Sequence, residues 1–189
     1  MQANSKSSDA TDNRPIVLIG MMGVGKSTIG RRLALRLHLP FVDADEEIEK
    51  AAGMTISDIF ARFGEENFRD GERRVIARLL EQERQVIATG GGAFMNAETR
   101  ALILERGIAI WLDADINVLV ERVGRRDTRP MLQGKDARTV LTALAEQRNP
   151  VYALAPVHIT SSATPHEVTV DAIIQALASP EFTVKAASS

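Results

Sequence analysis

The sequence predicts an α/β domain built on a parallel sheet covered on both faces. Three observations carry this reading. Short apolar runs alternate with longer stretches of helical period, the pattern of repeated strand–helix units. The first run, residues 16–19 (IVLI), is apolar throughout, a buried-strand signal. A glycine-rich turn follows it at once and leads into a helical pattern.

The elements follow in order. After strand 16–19, a helix spans about 26–37 with Ile29, Leu33 and Leu37 on one face. Phe41 and Val42 form a short strand that ends in Asp43-Ala44-Asp45. Two helical stretches cover about 46–52 and 56–63. Thr55 is a candidate cap for the second, and Asp58 completes a capping-box spacing. Another helix covers about 65–82, and strand 85–89 then runs into Gly90-Gly91-Gly92. Helix 97–105, strand 108–112 and helix 116–123 complete a further unit.

Residues 125–136 are charged and broken by Pro130 and Gly134, so they read as a loop. A helix over about 137–148 meets Asn149-Pro150. There Asn149 is a candidate cap for a further turn, with Pro150 at its first helical position. Strand 157–160 and helix 165–178 close the domain. Residues 1–14 and 179–189 lack a hydrophobic period and read as a disordered arm and a polar tail. The domain proper is 15–178.

A chain of 189 residues fits one such domain. Hydrophobic residues make up 44% and charged residues 25%, which excludes collagen-like, wholly disordered and membrane-spanning classes. The formal net charge is −2, a poor match to bulk nucleic-acid binding, which needs many cationic phosphate contacts. There is no cysteine. That rules out disulfide frameworks, thiolate metal sites and cysteine nucleophiles. The polar start shows no apolar signal segment and carries Asp9 and Asp12, so a soluble cytoplasmic protein is expected.

Ligands on a parallel sheet gather at the carboxyl ends of its strands. This points to three stretches: 20–27, 43–45 and 90–92. Gly20-Met21-Met22-Gly23-Val24-Gly25-Lys26-Ser27 satisfies G-x-x-x-x-G-K-[ST] at a strand–helix junction. Glycines there let backbone N–H groups ring phosphate oxygens, and the new helix adds its positive end. Lys26 reaches the β- and γ-phosphates, and the Ser27 hydroxyl is a ligand for Mg²⁺. The chain is expected to bind a nucleoside triphosphate.

The remaining candidates each carry a plainer reading. Asp43 and Asp45 are placed to divide the work, Asp43 towards Mg²⁺ and Asp45 towards an acceptor hydroxyl; Asp45 reads equally well as a helix cap. Asp113 ends an apolar strand and either helps with Mg²⁺ or caps the next helix. Gly90-Gly91-Gly92 reads as a site of close ligand approach or as a flexible loop. Arg69, taken alone, is a solvated surface charge. Arg125, Arg126 and Arg129 crowd a segment that is either a mobile lid over the triphosphate or a bland charged loop. His38, His158 and His166 lack metal-ligand spacing.

In this order and spacing GMMGVGKST, FVDAD, ENFRDGE, ATGGG, TRPML and RNPVY resemble the bacterial shikimate kinase family, over about 15–177. The resemblance implies a three-layer α/β/α architecture with a five-stranded parallel sheet, a P-loop kinase fold with a mobile lid at about 124–136. It implies transfer of the ATP γ-phosphoryl group to the 3-hydroxyl of shikimate, on the way to chorismate and the aromatic amino acids. By motif, Gly23, Val24, Gly25, Lys26, Ser27 and Thr28 form the ATP phosphate loop. Ser27 and Asp43 serve Mg²⁺. Asp45, Arg69, Gly90, Gly91, Gly92 and Arg148 look like the shikimate site, with Asp45 as the group that orients the attacking hydroxyl and accepts its proton. Arg129 resembles the lid arginine that contacts ATP, and Arg125 or Arg126 falls near the adenine. A monomer is expected, since no large apolar stripe is left over.

Two competing classes remain at this point. One is a gluconate kinase-like or nucleotide kinase-like enzyme on the same fold. The other is a nucleotide-hydrolysing switch, although the N-K-x-D string typical of guanine-specific switches is absent.

Overall fold

The computed structural model describes residues 12–124, 136–161 and 165–179. Five strands form one sheet: β1 (Ile16–Ile19), β2 (Phe41–Asp43), β3 (Val86–Ala88), β4 (Ile108–Asp113) and β5 (Val157–Thr160). Their order is β2-β3-β1-β4-β5, and every pairing is parallel. Central β1 is fully buried because both of its faces and both of its edges are covered. Each Val, Leu or Ile so buried stabilises the fold by about 1.5–3 kcal/mol, which makes this strand a firm base for the loop it carries.

Seven helices accompany the sheet in the described residues. They are α1 (Lys26–Leu37), α2 (Ala44–Ala52), α3 (Ile56–Leu80), α4 (Ala97–Arg106), α5 (Ile116–Gly124), α6 (Ala137–Tyr152) and α7 (His166–Leu177). A single 3₁₀ turn covers Ala93–Met95. Helix α1 packs against α7, and α3 packs against α4. With right-handed crossovers these two pairs cover opposite faces of the sheet.

The topology fixes where a ligand sits. Neighbours β1 and β3 send their outgoing connections to opposite sides, β1 to β2 and β3 to β4. Such a reversal opens a crevice at the strands' carboxyl ends. The loop after β1 holds the glycine-lysine motif, and the loop after β3 holds Gly90-Gly91-Gly92. Among the described residues no helix is long and apolar enough to cross a membrane.

The two helical stretches on either side of Gly64 are present as expected, joined by a kink where Gly64 takes φ 78° and ψ 175°. Only glycine adopts that backbone at low cost. Helix α6 does not stop at Asn149; it continues through Pro150 to Tyr152. Proline in the final turn removes one helical hydrogen bond, and the helix absorbs that loss close to its end. Asp12 and Arg14, counted with the N-terminal arm, lie at the edge of the domain. Arg14 pairs with Asp12 at 2.6 Å and reaches the Gly107 carbonyl at 3.5 Å. Residues 125–135 of the proposed lid, with Arg125, Arg126 and Arg129, and residues 1–11 and 180–189 lie outside the described residues.

Candidate active site

The phosphate loop begins with the end of α1. Helices α2, α3, α4 and α6 each start on a side chain that accepts a backbone N–H: Asp43, Thr55, Asn96 and Asp136. Helix α1 starts on Gly25, in the left-handed region at φ 102°, with no side-chain cap and no acid in its first turn. Its first N–H groups and its positive end are thus kept for an anion. Gly20, at φ 137°, and Gly23, at φ 82°, also take positive φ, and Val24 between Gly23 and Gly25 is buried as an anchor. Lys26 folds back so that Nζ donates to the Gly20 carbonyl at 2.7 Å and the Met21 carbonyl at 2.9 Å. From outside the loop, Arg122 on α5 donates to the Val24 carbonyl at 3.0 Å.

Ser27 and Asp43 meet at the floor of the loop. Ser27 Oγ donates to Asp43 Oδ2 at 2.6 Å, while Asp43 Oδ1 accepts the Asp45 N–H at 3.1 Å. Asp43 is therefore the cap of α2. This corrects the alternative that made Asp45 the cap, and it moves Asp45 from a strand end into the first helical turn. Asp113 does not join them. It takes the Ala114 N–H at 2.8 Å and lies 3.5 Å from His158; Asp115 caps α5 by accepting the Asn117 N–H at 2.7 Å.

Freed from capping, the Asp45 carboxylate is aimed at the glycine loop. Burial pushes its pKa above the ordinary carboxylate range, and neighbouring Asp43 adds to this; Lys26 and Arg69 pull the other way without cancelling it. An aspartate in that state holds a proton more readily than one in water.

The three glycines are explained by what lies against them. A Cβ on Gly90 would stand 2.8 Å from Asp45 Oδ1 and 3.2 Å from Glu72 Oε1. On Gly91 it would stand 3.4 Å from Arg148 Nη1, and on Gly92 2.5 Å from Arg69 Nη2. Two carboxylates and two guanidiniums thus lie over three consecutive residues; a Cβ on Gly90 or Gly92 would press on one of them, whereas on Gly91 it would make ordinary contact. These contacts favour close approach over a flexible loop. Arg69 is likewise no solvated surface charge. It pairs with Glu72 at 2.7 Å and Glu65 at 3.3 Å and lies over the Phe68 ring.

Sequence reasoning missed three residues here. Glu72 is 1% exposed, and its Oε1 has no partner among the described residues. Burial raises its pKa despite the opposing Arg69 bond. Its signal was present: Arg69 and Glu72 stand one helical turn apart. Tyr152 donates to the Gly91 carbonyl, which also accepts Arg148 Nη1 at 3.1 Å. Arg122 gave no local signal, since its partner Val24 is remote in sequence.

Among the described residues no three His, Asp or Glu side chains could cage a metal ion by themselves. Ser27 and Asp43 offer two converging hard oxygen donors, a set that suits Mg²⁺ with water and phosphate as its other ligands.

Comparison with known proteins bears on the family and the fold. The family model described as Shikimate kinase matches residues 22–178. A shikimate kinase of Novosphingobium aromaticivorans is 61% identical over 168 residues, covering 87% of each chain. The structure is similar to that of a shikimate kinase from Acinetobacter baumannii in complex with shikimate, with TM-score 0.83 and 35% identity over 88% of this chain and 94% of that one. A gluconokinase from Sinorhizobium meliloti shares the fold, with TM-score 0.60 and 21% identity over 87% of this chain and 91% of that one.

Proposed function

The chain belongs to the shikimate kinase family, and from that premise we propose that it transfers the γ-phosphoryl group of ATP to the 3-hydroxyl of shikimate, giving shikimate 3-phosphate and ADP. The observation that carries the reading is the array over the glycine loop, with Asp45 at one end and Arg148 and Arg69 at the other. Shikimate bears one carboxylate and several hydroxyls. A pair of guanidiniums binds the carboxylate through charge-assisted hydrogen bonds, and Asp45 accepts from a hydroxyl.

In this account Lys26 exchanges the Gly20 and Met21 carbonyls for phosphate oxygens, and the backbone from Gly23 to Thr28 rings the triphosphate. The acceptor oxygen attacks the γ-phosphorus as the bond to the bridging oxygen breaks, and the hydroxyl proton passes to Asp45. A loose transition state of this kind asks for positioning and charge neutralisation before strong base catalysis. Ser27 and Asp43 would hold Mg²⁺, which supplies charge neutralisation on the triphosphate. Arg129, outside the described residues, is assigned to charge stabilisation from the lid. The catalytic unit is taken as 15–178, acting as a cytoplasmic monomer.

The test is product identity. Purified protein with ATP, Mg²⁺ and shikimate should give a phosphate whose phosphorus couples to the proton on C3. Phosphate on another hydroxyl, or none, contradicts the assignment.

A further inference from the structure

Tyr152 is the one tyrosine of the chain, and its side chain is completely buried. Its ring lies between Trp111 on β4, at 6.0 Å between centroids, and Phe94 in the 3₁₀ turn after the glycines, at 6.5 Å. That packing sets the hydroxyl in one place, where it donates to the Gly91 carbonyl. Arg148, four residues earlier on the same face of α6, donates to the same oxygen at 3.1 Å. A carbonyl oxygen has two lone pairs, and both are spent on α6.

The two donors are not equivalent. A guanidinium binds a carboxylate more strongly than a neutral carbonyl, so an anionic substrate competes for Arg148. A half-buried carbonyl that loses its only donor is costly. A second donor that stays behind removes that cost. The planar peptide also links Gly91 to its neighbour: fixing the Gly91 carbonyl fixes the backbone of Gly92, on which the Arg69 guanidinium rests.

We propose that Tyr152 is a positioning residue for the acceptor substrate: its hydroxyl keeps the Gly91 carbonyl satisfied and the glycine loop in shape while Arg148 turns to the substrate's carboxylate. This rests on the reading of shikimate as acceptor.

The test uses the full chain. Tyr152→Phe deletes one hydroxyl and keeps the ring. Loss of one such hydrogen bond should raise KM for shikimate about three- to tenfold, with KM for ATP and kcat within twofold of the parent. A shikimate KM within twofold of the parent overturns the proposal. So does a parallel rise in both KM values, or a fall in kcat alone, because each marks general loosening. A second measurement does not depend on the variant folding. Since Tyr152 is the only tyrosine, growth on 3-fluorotyrosine places a single fluorine reporter beside the Gly91 carbonyl. Saturating shikimate without nucleotide should shift its resonance, and an unmoved resonance overturns the proposal. Calorimetry on the same sample separates the two ideas: binding heat with an unmoved resonance sinks the Tyr152 role alone, whereas no heat and no turnover sinks the reading of the acceptor.

Discussion

Asp45 is held where its charge is poorly accommodated, and that has consequences for both rate and stability. Replacement by Asn should lower kcat by about 10²–10⁴-fold, the usual range for a lost general base, with the Kd for ATP little changed. A coupled ADP assay and calorimetry check the two halves, and near-normal turnover would remove the assigned role. The stability effect has the opposite sign. A carboxyl whose folded pKa is raised contributes stability that is full below its unfolded pKa and is lost as pH rises through the folded value. Asp45→Asn should therefore raise the thermal midpoint at about pH 7, with the gap to the parent shrinking towards about pH 4, where the unfolded carboxylate titrates. A gap that widens on acidification would contradict the raised pKa.

Glu72 acts through Arg69. Changing it to Gln replaces the nearer of the two anions on Arg69 by a neutral partner and leaves only Glu65 at 3.3 Å, and KM for shikimate should rise about tenfold, since bonds to charged groups contribute about 1.5–3 kcal/mol. An unchanged KM would show that Arg69 does not need Glu72 as its anchor. Neither role was visible in the sequence in full. The glycine-lysine motif is contiguous and reads directly, as Lys26 and Ser27 show. The division between Asp43 and Asp45 was legible as one of two even readings; the choice against Asp45 as a cap was not, because it depends on whether α2 begins at Ala44 or after Asp45.

At the scale of elements, the bend in α3 is the feature that aims the site. Its first half carries Phe60 and its second half carries Arg69 and Glu72, and Gly64 stands between them. Nothing lies within 4 Å of a Cβ built on Gly64 or on Gly53, so any cost of Ala there is purely conformational. Gly53, at φ 64° and ψ 23°, sits in the ordinary left-handed well, where Ala costs about 1–2 kcal/mol. Gly64 sits in a region that is essentially glycine-only, with a cost of about 1–3 kcal/mol. Gly64→Ala should thus destabilise at least as much as Gly53→Ala in urea unfolding, and only the former should raise KM for shikimate. The helical periods on both sides of Gly64 were legible in sequence. The backbone angle that joins them was not, because φ at a glycine leaves no trace in residue pattern. Pro150 misled for a related reason: tertiary packing of Tyr152 carries α6 one turn past the point where local rules end it.

For the whole molecule, the order β2-β3-β1-β4-β5 brings together two glycine-rich loops separated by some seventy residues of chain. One is uncapped and prepared for a triphosphate; the other is overlain by side chains of both signs. The near-neutral net charge of −2 conceals this local polarisation. Strand–helix alternation made the sheet readable in advance. The run of glycines announces close approach, but the groups over Gly90, Gly91 and Gly92 come together only when α2, α3 and α6 meet the loop after β3, so no local pattern could name them. The gluconokinase shares this fold at 21% identity, and the choice of acceptor therefore rests on the array and not on the sheet. The most direct measurement is ADP release from ATP and Mg²⁺ with shikimate, with gluconate, or with neither. Rapid release is expected with shikimate alone; equal release in all three, or stimulation by gluconate, would contradict shikimate as the acceptor.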